Sequence, residues 1–365
     1  VIPFNQLKPV HEQLAAELQE AAQRVLASGW FVLGPEVEAF EGELAAWVGT
    51  AHAVGVANGT DAVELALRAA GVVPGDEVIT VSHTAVATVC GVERAGGKPV
   101  LVDIDPVTYT IDPERVEAAM TPRTKAIVPV HLYGHLANVA TLQELASRHG
   151  VALVEDCAQA LGGTWQGTQA GCHGALAAVS FYPTKNLGAC GDGGAVLTND
   201  PDLAERLRRL RMYGQPARVE AIERGVNSRL DELQAALLRV KLRHLAEHNR
   251  QRRELAELYG QLLKGVELPQ VLPGYGHAWH LFVVRHPRRD ELAKRLAEQG
   301  IGTLIHYPIP VHRQRAYADL GYGPGSLPRT EQAVQEILSL PLWVGMTKDD
   351  VRRVAAAVTQ AATEL

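Results

Sequence analysis

The chain has 365 residues, nearly half of them apolar, and a formal net charge of −6 with no block of like charge. That composition argues against a nucleic-acid or anionic-membrane partner, and no apolar run reaches transmembrane length. The length allows two domains, or one large domain with a smaller appendage.

The N-terminus shows no basic region followed by an apolar one, so no signal peptide is expected. Cys90, Cys157, Cys172 and Cys190 form neither a CxxC pair nor zinc-ligand spacing, and the histidines include no HExxH. Reduced thiols, a cytoplasmic location and no metal site are therefore the expectation. Residues 10–28 have helical periodicity and end at Gly29, which suits a left-handed C-cap. The loop at 29–35 sets Trp30 beside Phe31 before any core strand. That pair either packs under the domain, which the residues alone favour, or projects into a partner subunit. A helix follows over 36–48.

A short strand at 51–57 runs through Asn58-Gly59-Thr60-Asp61 into the helical AVELALRAAG. Strand, small polar turn and helix make a phosphate cup, because the first amides of the helix have no internal acceptor and the helix dipole favours an anion. Plain capping by Thr60 or Asp61 is the simpler reading, and the two coexist. Neither a Walker loop nor a GxGxxG fingerprint is present. Strands at 76–81, 98–103, 125–130 and 151–155 alternate with helices at 84–95, 113–120 and 137–149. This predicts a mainly parallel sheet with helices on both faces.

The 151–155 strand is an apolar run ending in Glu155-Asp156, so it delivers a carboxylate to the sheet edge where open α/β sheets bind ligands. Further strands at 175–181 and 194–198 flank Lys185, which follows Pro183 and precedes Gly188, Gly191, Gly193 and Gly194. A desolvated lysine is a nucleophilic amine suited to a Schiff base, and a strand-end aspartate can pair with a protonated ring nitrogen. Lys185 with Asp156 is the pair pyridoxal phosphate needs. A surface-loop lysine and a helix-capping aspartate are the bland alternative.

A basic helix spans 201–213. Ser228 is the expected cap of a long helix, with Asp231 and Glu232 in its first turn. Beyond residue 266 the pattern gives a strand at 278–286, a helix at 289–300 and a short strand at 302–306. A Pro- and His-rich loop to His312 follows, then helices at 329–338 and 348–363. The expected division is a large cofactor-binding domain over 1–245, with an N-terminal arm, and a smaller α/β domain over 246–365.

Several segments, in order, resemble one family: SGWFVLGPEVEAFE, NGTDAVELAL, PGDEVITVSHTAVAT, KPVLVDID, VPVHLYG, VEDCAQALG, SFYPTKNLGACGDGGAVLTND and NSRLDELQAALLRVKL. The chain resembles the DegT/DnrJ/EryC1/StrS nucleotide-sugar aminotransferases from Ile2 to the C-terminus. The resemblance implies the aspartate-aminotransferase-like α/β fold, pyridoxal phosphate fold type I. It implies Lys185 as the Schiff-base lysine and proton shuttle, Asp156 at the pyridine nitrogen and Gln159 near the ring's phenolic oxygen. Gly59, Thr60 and Ser180 are implied as phosphate ligands. Asn227 is implied to reach the phosphate from a neighbouring subunit, and the Trp30 loop to cross toward the partner's site, which makes a homodimer with shared sites. His306 and His312 resemble the substrate side.

The sequence departs from the family after residue 81, where relatives often place an aromatic residue against the cofactor ring. Here the stretch is Ser82-His83-Thr84-Ala85-Val86, so either His83 or an aromatic residue from elsewhere in the chain is expected to stack on the ring. Relatives that act as dehydratases replace the lysine with histidine, so Lys185 favours transamination. The motifs look most like the subgroup that aminates C3 of dTDP-linked 3-keto-6-deoxyhexoses, with L-glutamate as donor. UDP- or GDP-linked sugars, amination at C4, a dehydratase and a non-catalytic regulatory relative are the alternatives.

Overall fold

Alternating strands and helices close a seven-stranded sheet in a computed structural model that describes residues 1–216 and 220–365. In chain order its strands are β1 (His52–Val56), β2 (Glu77–Val81), β3 (Lys98–Val102), β4 (Thr124–Val128), β5 (Ala152–Asp156), β6 (Leu176–Ser180) and β7 (Gly194–Thr198). The spatial order is β1-β7-β6-β5-β4-β2-β3. Only β7 runs against its neighbours in that sheet. The parallel run follows from helical crossovers between successive apolar strands, as the alternation predicted. It also sets the carboxyl ends of β1, β2, β5 and β6 along one edge, where the site forms.

Both faces of the sheet are covered. One core gathers Phe40, Leu44, Phe181 and Leu197, another Val54, Leu65, Val78 and Val154, and a third Ile79, Ile111 and Leu142. A separate core of Tyr259, Phe282, Leu338 and Trp343 also takes Ile2, which bridges Ile301. The helix Glu232–Leu262 serves both regions without a break. Leu238, Leu242 and Leu245 join the sheet side, and Leu255, Ala256 and Tyr259 the other. No helix among the described residues is long and apolar enough to cross a membrane.

Four local expectations change. The N-terminal helix breaks at Leu14 into Lys8–Gln13 and Ala15–Ser28, and the buried Leu14 packs against Ala236 and Val240. The 302–306 segment keeps one bridge, Leu304 to Ser339, because Pro308 and Pro310 bracket a turn rather than extend a ladder. The helix expected to end at 338 stops at Glu336, and Ile337–Leu340 instead pairs antiparallel with Phe282–Arg285 before Pro341 ends the strand. Ser228 is no cap: its hydroxyl donates to Asp61 (2.6 Å) and accepts the Ala57 amide (3.0 Å), tying the segment to the end of β1.

Glu232 stands in the first turn of its own helix, as expected, and also works across the fold. Its carboxylate accepts the amides of Gly34 (2.8 Å), Glu36 (2.9 Å) and Val37 (2.8 Å), capping the Pro35–Val48 helix from a distance. Charged acceptors on helix-start amides are among the stronger hydrogen bonds. Glu232→Ala should therefore cost about 3 kcal/mol, read as an earlier midpoint in urea unfolding. An unchanged midpoint would mean that water replaces the cap.

Candidate active site

Alternation along β5 sends its last two carboxylates to opposite faces. Glu155 turns inward, where the His131 ring (2.8 Å) and the amides of Gly171 (3.0 Å), His173 (2.8 Å) and Gly174 (2.7 Å) donate to it. Those bonds anchor the strand end. Asp156 faces a cavity of about 500 Å³ lined by Gly59, Thr60, Thr84, Ala85, Gln159, Ser180 and Lys185, among others. The Thr88 hydroxyl donates to one Asp156 oxygen (2.8 Å) and the Ala158 amide to the other (3.1 Å). Thr84 in turn bonds Thr88 (2.8 Å).

Lys185 reaches the same cavity from the loop after β6. Burial pushes its amine down to about 8, and the Asp156 charge opposes the shift. A lysine at that value holds a usable fraction of neutral amine near pH 7.5. At the far end, the Gly59–Ala69 helix is capped by Asn58, whose side chain accepts the Asp61 amide (2.9 Å), rather than by Thr60 or Asp61. The Gly59 and Thr60 amides, with no intrahelical acceptor, open on the cavity beside Ser180. Gly59 is needed there, because a Cβ would stand 2.5 Å from the Ser180 Cβ.

Gln159 is held by two bonds. Its oxygen accepts the Tyr133 amide (2.7 Å), and its nitrogen donates to the Tyr307 hydroxyl (3.0 Å). Burial, with the Asp156 charge second, pushes the Tyr307 phenol up to about 12, so Tyr307 stays a neutral hydroxyl at this site. Tyr133 also donates to the His306 carbonyl, fastening the 306–312 loop down. Tyr307 and Thr88 are the functional candidates that sequence reasoning missed. Thr88 ends one of the segments that carry the resemblance and Tyr307 lies in the Pro- and His-rich loop, but which side chain meets Gln159 or Asp156 depends on packing across the fold.

Two expected site residues lie elsewhere. His83 does not line the cavity. It is fully buried against Tyr109 and Tyr133, bonds the Tyr133 hydroxyl (2.8 Å), and burial pushes it down to about 4. Thr84 and Ala85 take that wall instead. His312 is also buried, with both ring nitrogens engaged, one with Ser82 (2.7 Å) and one with Glu331 (3.2 Å). That makes it a clasp between the loop and the end of β2, out of a substrate's reach. The His306 ring bonds Ser339 (2.8 Å) and lies near enough to Lys185 for its charge to add to burial in pushing the imidazole down to about 4.

Trp30 and Asn227 are not brought to the cavity within one chain. Trp30 is 57% exposed, which removes the packed-under-the-domain reading. It lines a surface cleft with Phe31, Met212, Tyr213 and Arg229, and Asn227 bridges Met212 at the same edge.

The unpaired helix-start amides, the glycine that admits them, the desolvated lysine and the strand-end carboxylate fit a phosphorylated ring aldehyde, and on an α/β sheet of this order they define a pyridoxal phosphate enzyme. The chain belongs to the DegT/DnrJ/EryC1/StrS aminotransferase family, whose profile matches residues 12–359. It is 51% identical to the "Erythromycin biosynthesis sensory transduction protein EryC1" of Saccharopolyspora erythraea over 98% of each chain. It is 50% identical to a dTDP-3-amino-3,4,6-trideoxy-alpha-D-glucose transaminase of Streptomyces venezuelae over 98% of this chain and 96% of the relative. The crystal structure of S. venezuelae DesV in complex with a ketimine intermediate superposes with a TM-score of 0.97 at 50% identity, covering 100% of this chain and 99% of that one.

Proposed function

We propose that this aminotransferase moves an amino group from L-glutamate to C3 of a dTDP-linked 3-keto-6-deoxyhexose. The observation that carries the reading is Lys185, buried and shifted toward neutral amine, in one cavity with Asp156 and the open Gly59 helix end. The names of the Streptomyces relative and of a 46% identical dTDP-3-amino-3,6-dideoxy-alpha-D-galactopyranose transaminase support the nucleotide and the carbon.

Bound there, pyridoxal phosphate supplies an aldehyde for amines and a ring that draws electrons from the neighbouring carbon. Gly59, Thr60 and Ser180 would hold its phosphate, the first two through amides that the helix leaves free. Asp156 would keep the ring nitrogen protonated, its carboxylate fixed by the Thr88 hydroxyl and the Ala158 amide. Gln159, held by Tyr307, would face the ring's oxygen. Lys185 Nζ would be the amine that holds the aldehyde and the base that takes a proton from the substrate carbon or returns it, in both halves of the reaction. His306 borders the substrate from the loop that Tyr133 fastens.

In this reading residues 1–245 bind the cofactor and 246–365 form the smaller domain. The active form is a homodimer, in which Asn227 completes the phosphate site of the partner and the Trp30 loop borders its substrate. Exposed Trp30, Phe31 and Tyr213 grouped at the edge that carries Asn227 support it. Sedimentation should give a dimer, and a fully active monomer would contradict the shared site.

The test is absorbance. Holoenzyme should be yellow, and L-glutamate should bleach it with release of one equivalent of 2-oxoglutarate. A dTDP-3-keto sugar should then restore the colour and yield a sugar amine. Colour that glutamate leaves unchanged points to the dehydratase. A regulatory relative, the role that the name of the 51% identical protein would favour, would consume no glutamate. Restoration by a UDP- or GDP-linked ketone alone would move the substrate class.

A further inference from the structure

A second, smaller cavity of about 40 Å³ shares the Lys185 wall and no other lining residue with the large one. Its chemistry is lopsided. His11, Lys241, His248 and Arg252 line it along with Lys185, and no carboxylate does.

Arg252 is only 6% exposed, and its recorded hydrogen bond runs from Nη1 to the Leu342 carbonyl (3.2 Å). Its Nε is buried without a partner, and so is Nε2 of His248, a residue 4% exposed. Burial pushes the guanidinium down to about 10 with no opposing charge to offset it, so it remains a cation at neutral pH. A buried cation without a counter-charge is strongly unfavourable, and so is each unmade buried hydrogen bond. Lys241 adds a second cation on the rim. Its ammonium donates to the Gly188 carbonyl (2.8 Å) and meets His11 Nε2 (2.9 Å), which ties the helix to the loop that follows Lys185.

We propose that this cavity binds a small monoanion of halide or carboxylate size, held by Arg252 with His248 and Lys241. The space admits roughly three water-sized groups, which suits one halide or one carboxylate and is too small for a nucleotide. The anion supplies the counter-charge that Arg252 lacks and the acceptor that its Nε and His248 lack. Because Lys241 grips Gly188, filling the cavity also stiffens the loop that carries Lys185. The anion has two possible sources, a resident halide or the carboxylate of the amino donor, and both present the same chemistry to Arg252.

Bromide is the probe. Holoenzyme exchanged into isethionate buffer, free of halide and carboxylate, is titrated with sodium bromide at constant ionic strength while the melting temperature is followed. A saturable rise of about 3 °C at 100-fold excess over Kd is expected for the wild type, and no saturable rise for Arg252→Met. Should that variant fail to fold, wild-type crystals grown in bromide carry the test, with an anomalous peak expected within hydrogen-bonding distance of Arg252 Nε. An equal, non-saturating response in both proteins would overturn the site. So would a crystal without the peak, or one in which a carboxylate of the partner subunit sits against Arg252. If bromide raises the KM for glutamate and leaves kcat unchanged, the site takes the donor's carboxylate; if KM is unmoved, the ion is resident. Melting and diffraction require no turnover, so they stand or fall separately from the proposed reaction.

Discussion

Lys185→Ala should fold, still bind pyridoxal phosphate, and lose turnover by about 10⁴-fold or more. The loss is large because one amine has two duties, bonding the aldehyde and carrying the proton, and no neighbour can replace it. His306 is a basic group on the loop above, but burial, the larger cause of its lowered pKa, persists in the variant and disfavours its protonated form. The fold should survive because no hydrogen bond of the Lys185 amine is recorded among the described residues, so truncation breaks no network. It also removes a cation that burial disfavours. The check pairs kcat with the visible spectrum: phosphate contacts should retain the cofactor, while its absorbance shifts from the lysine adduct to the free aldehyde. Partial rescue by added methylamine would separate the proton-carrying duty from packing. Turnover near that of wild type would refute the assignment.

What the sequence made legible were features written locally. Strand and helix alternation follows from periodicity, and it places Asp156 at the end of one strand and Lys185 just after another. The Asn58-Gly59-Thr60 turn announced free helix-start amides for the same reason. The failures share a different cause. Ser228 has the look of a helix cap, yet its hydroxyl serves β1 instead. Glu232 does stand in the first turn of its own helix, as expected, but its second role, capping the Pro35–Val48 helix, crosses a sequence gap no local rule spans. His83 and His312 were attractive because imidazoles near a substrate loop are useful. Tertiary packing buried both and engaged their nitrogens. Residues 337 and 338 continue an amphipathic helix by pattern, yet they join the strand Ile337–Leu340 paired with Phe282–Arg285, as context often overrides short apolar runs. Arg252 gave no sequence signal at all: among several arginines on a long helix, only the packed structure reveals which is buried without a counter-charge.

Asp156→Asn should keep the fold and lower kcat by on the order of 10³-fold. The amide is nearly isosteric, its oxygen can still accept the Ala158 amide, and the Thr88 hydroxyl can turn from donor to acceptor, so melting should change little. What disappears is the negative charge. A carboxylate beside the ring nitrogen stabilises its protonated form, and each pKa unit lost there corresponds to about 1.4 kcal/mol. An unprotonated ring withdraws electrons poorly, and both halves of the reaction depend on that withdrawal. Glutamate bleaching and sugar amination should therefore slow by similar factors, measured in single turnovers. If only one half slows, another group protonates the ring and Asp156 merely shapes the cavity. The same substitution carries a second signature without turnover. Asp156 is the charge that opposes the burial of Lys185, so its removal should let the lysine titrate lower still. The pH midpoint at which apo-protein captures pyridoxal phosphate, expected near 8 in the wild type, should then move down. A midpoint that stays in place would mean that the two groups do not sense each other across the cavity.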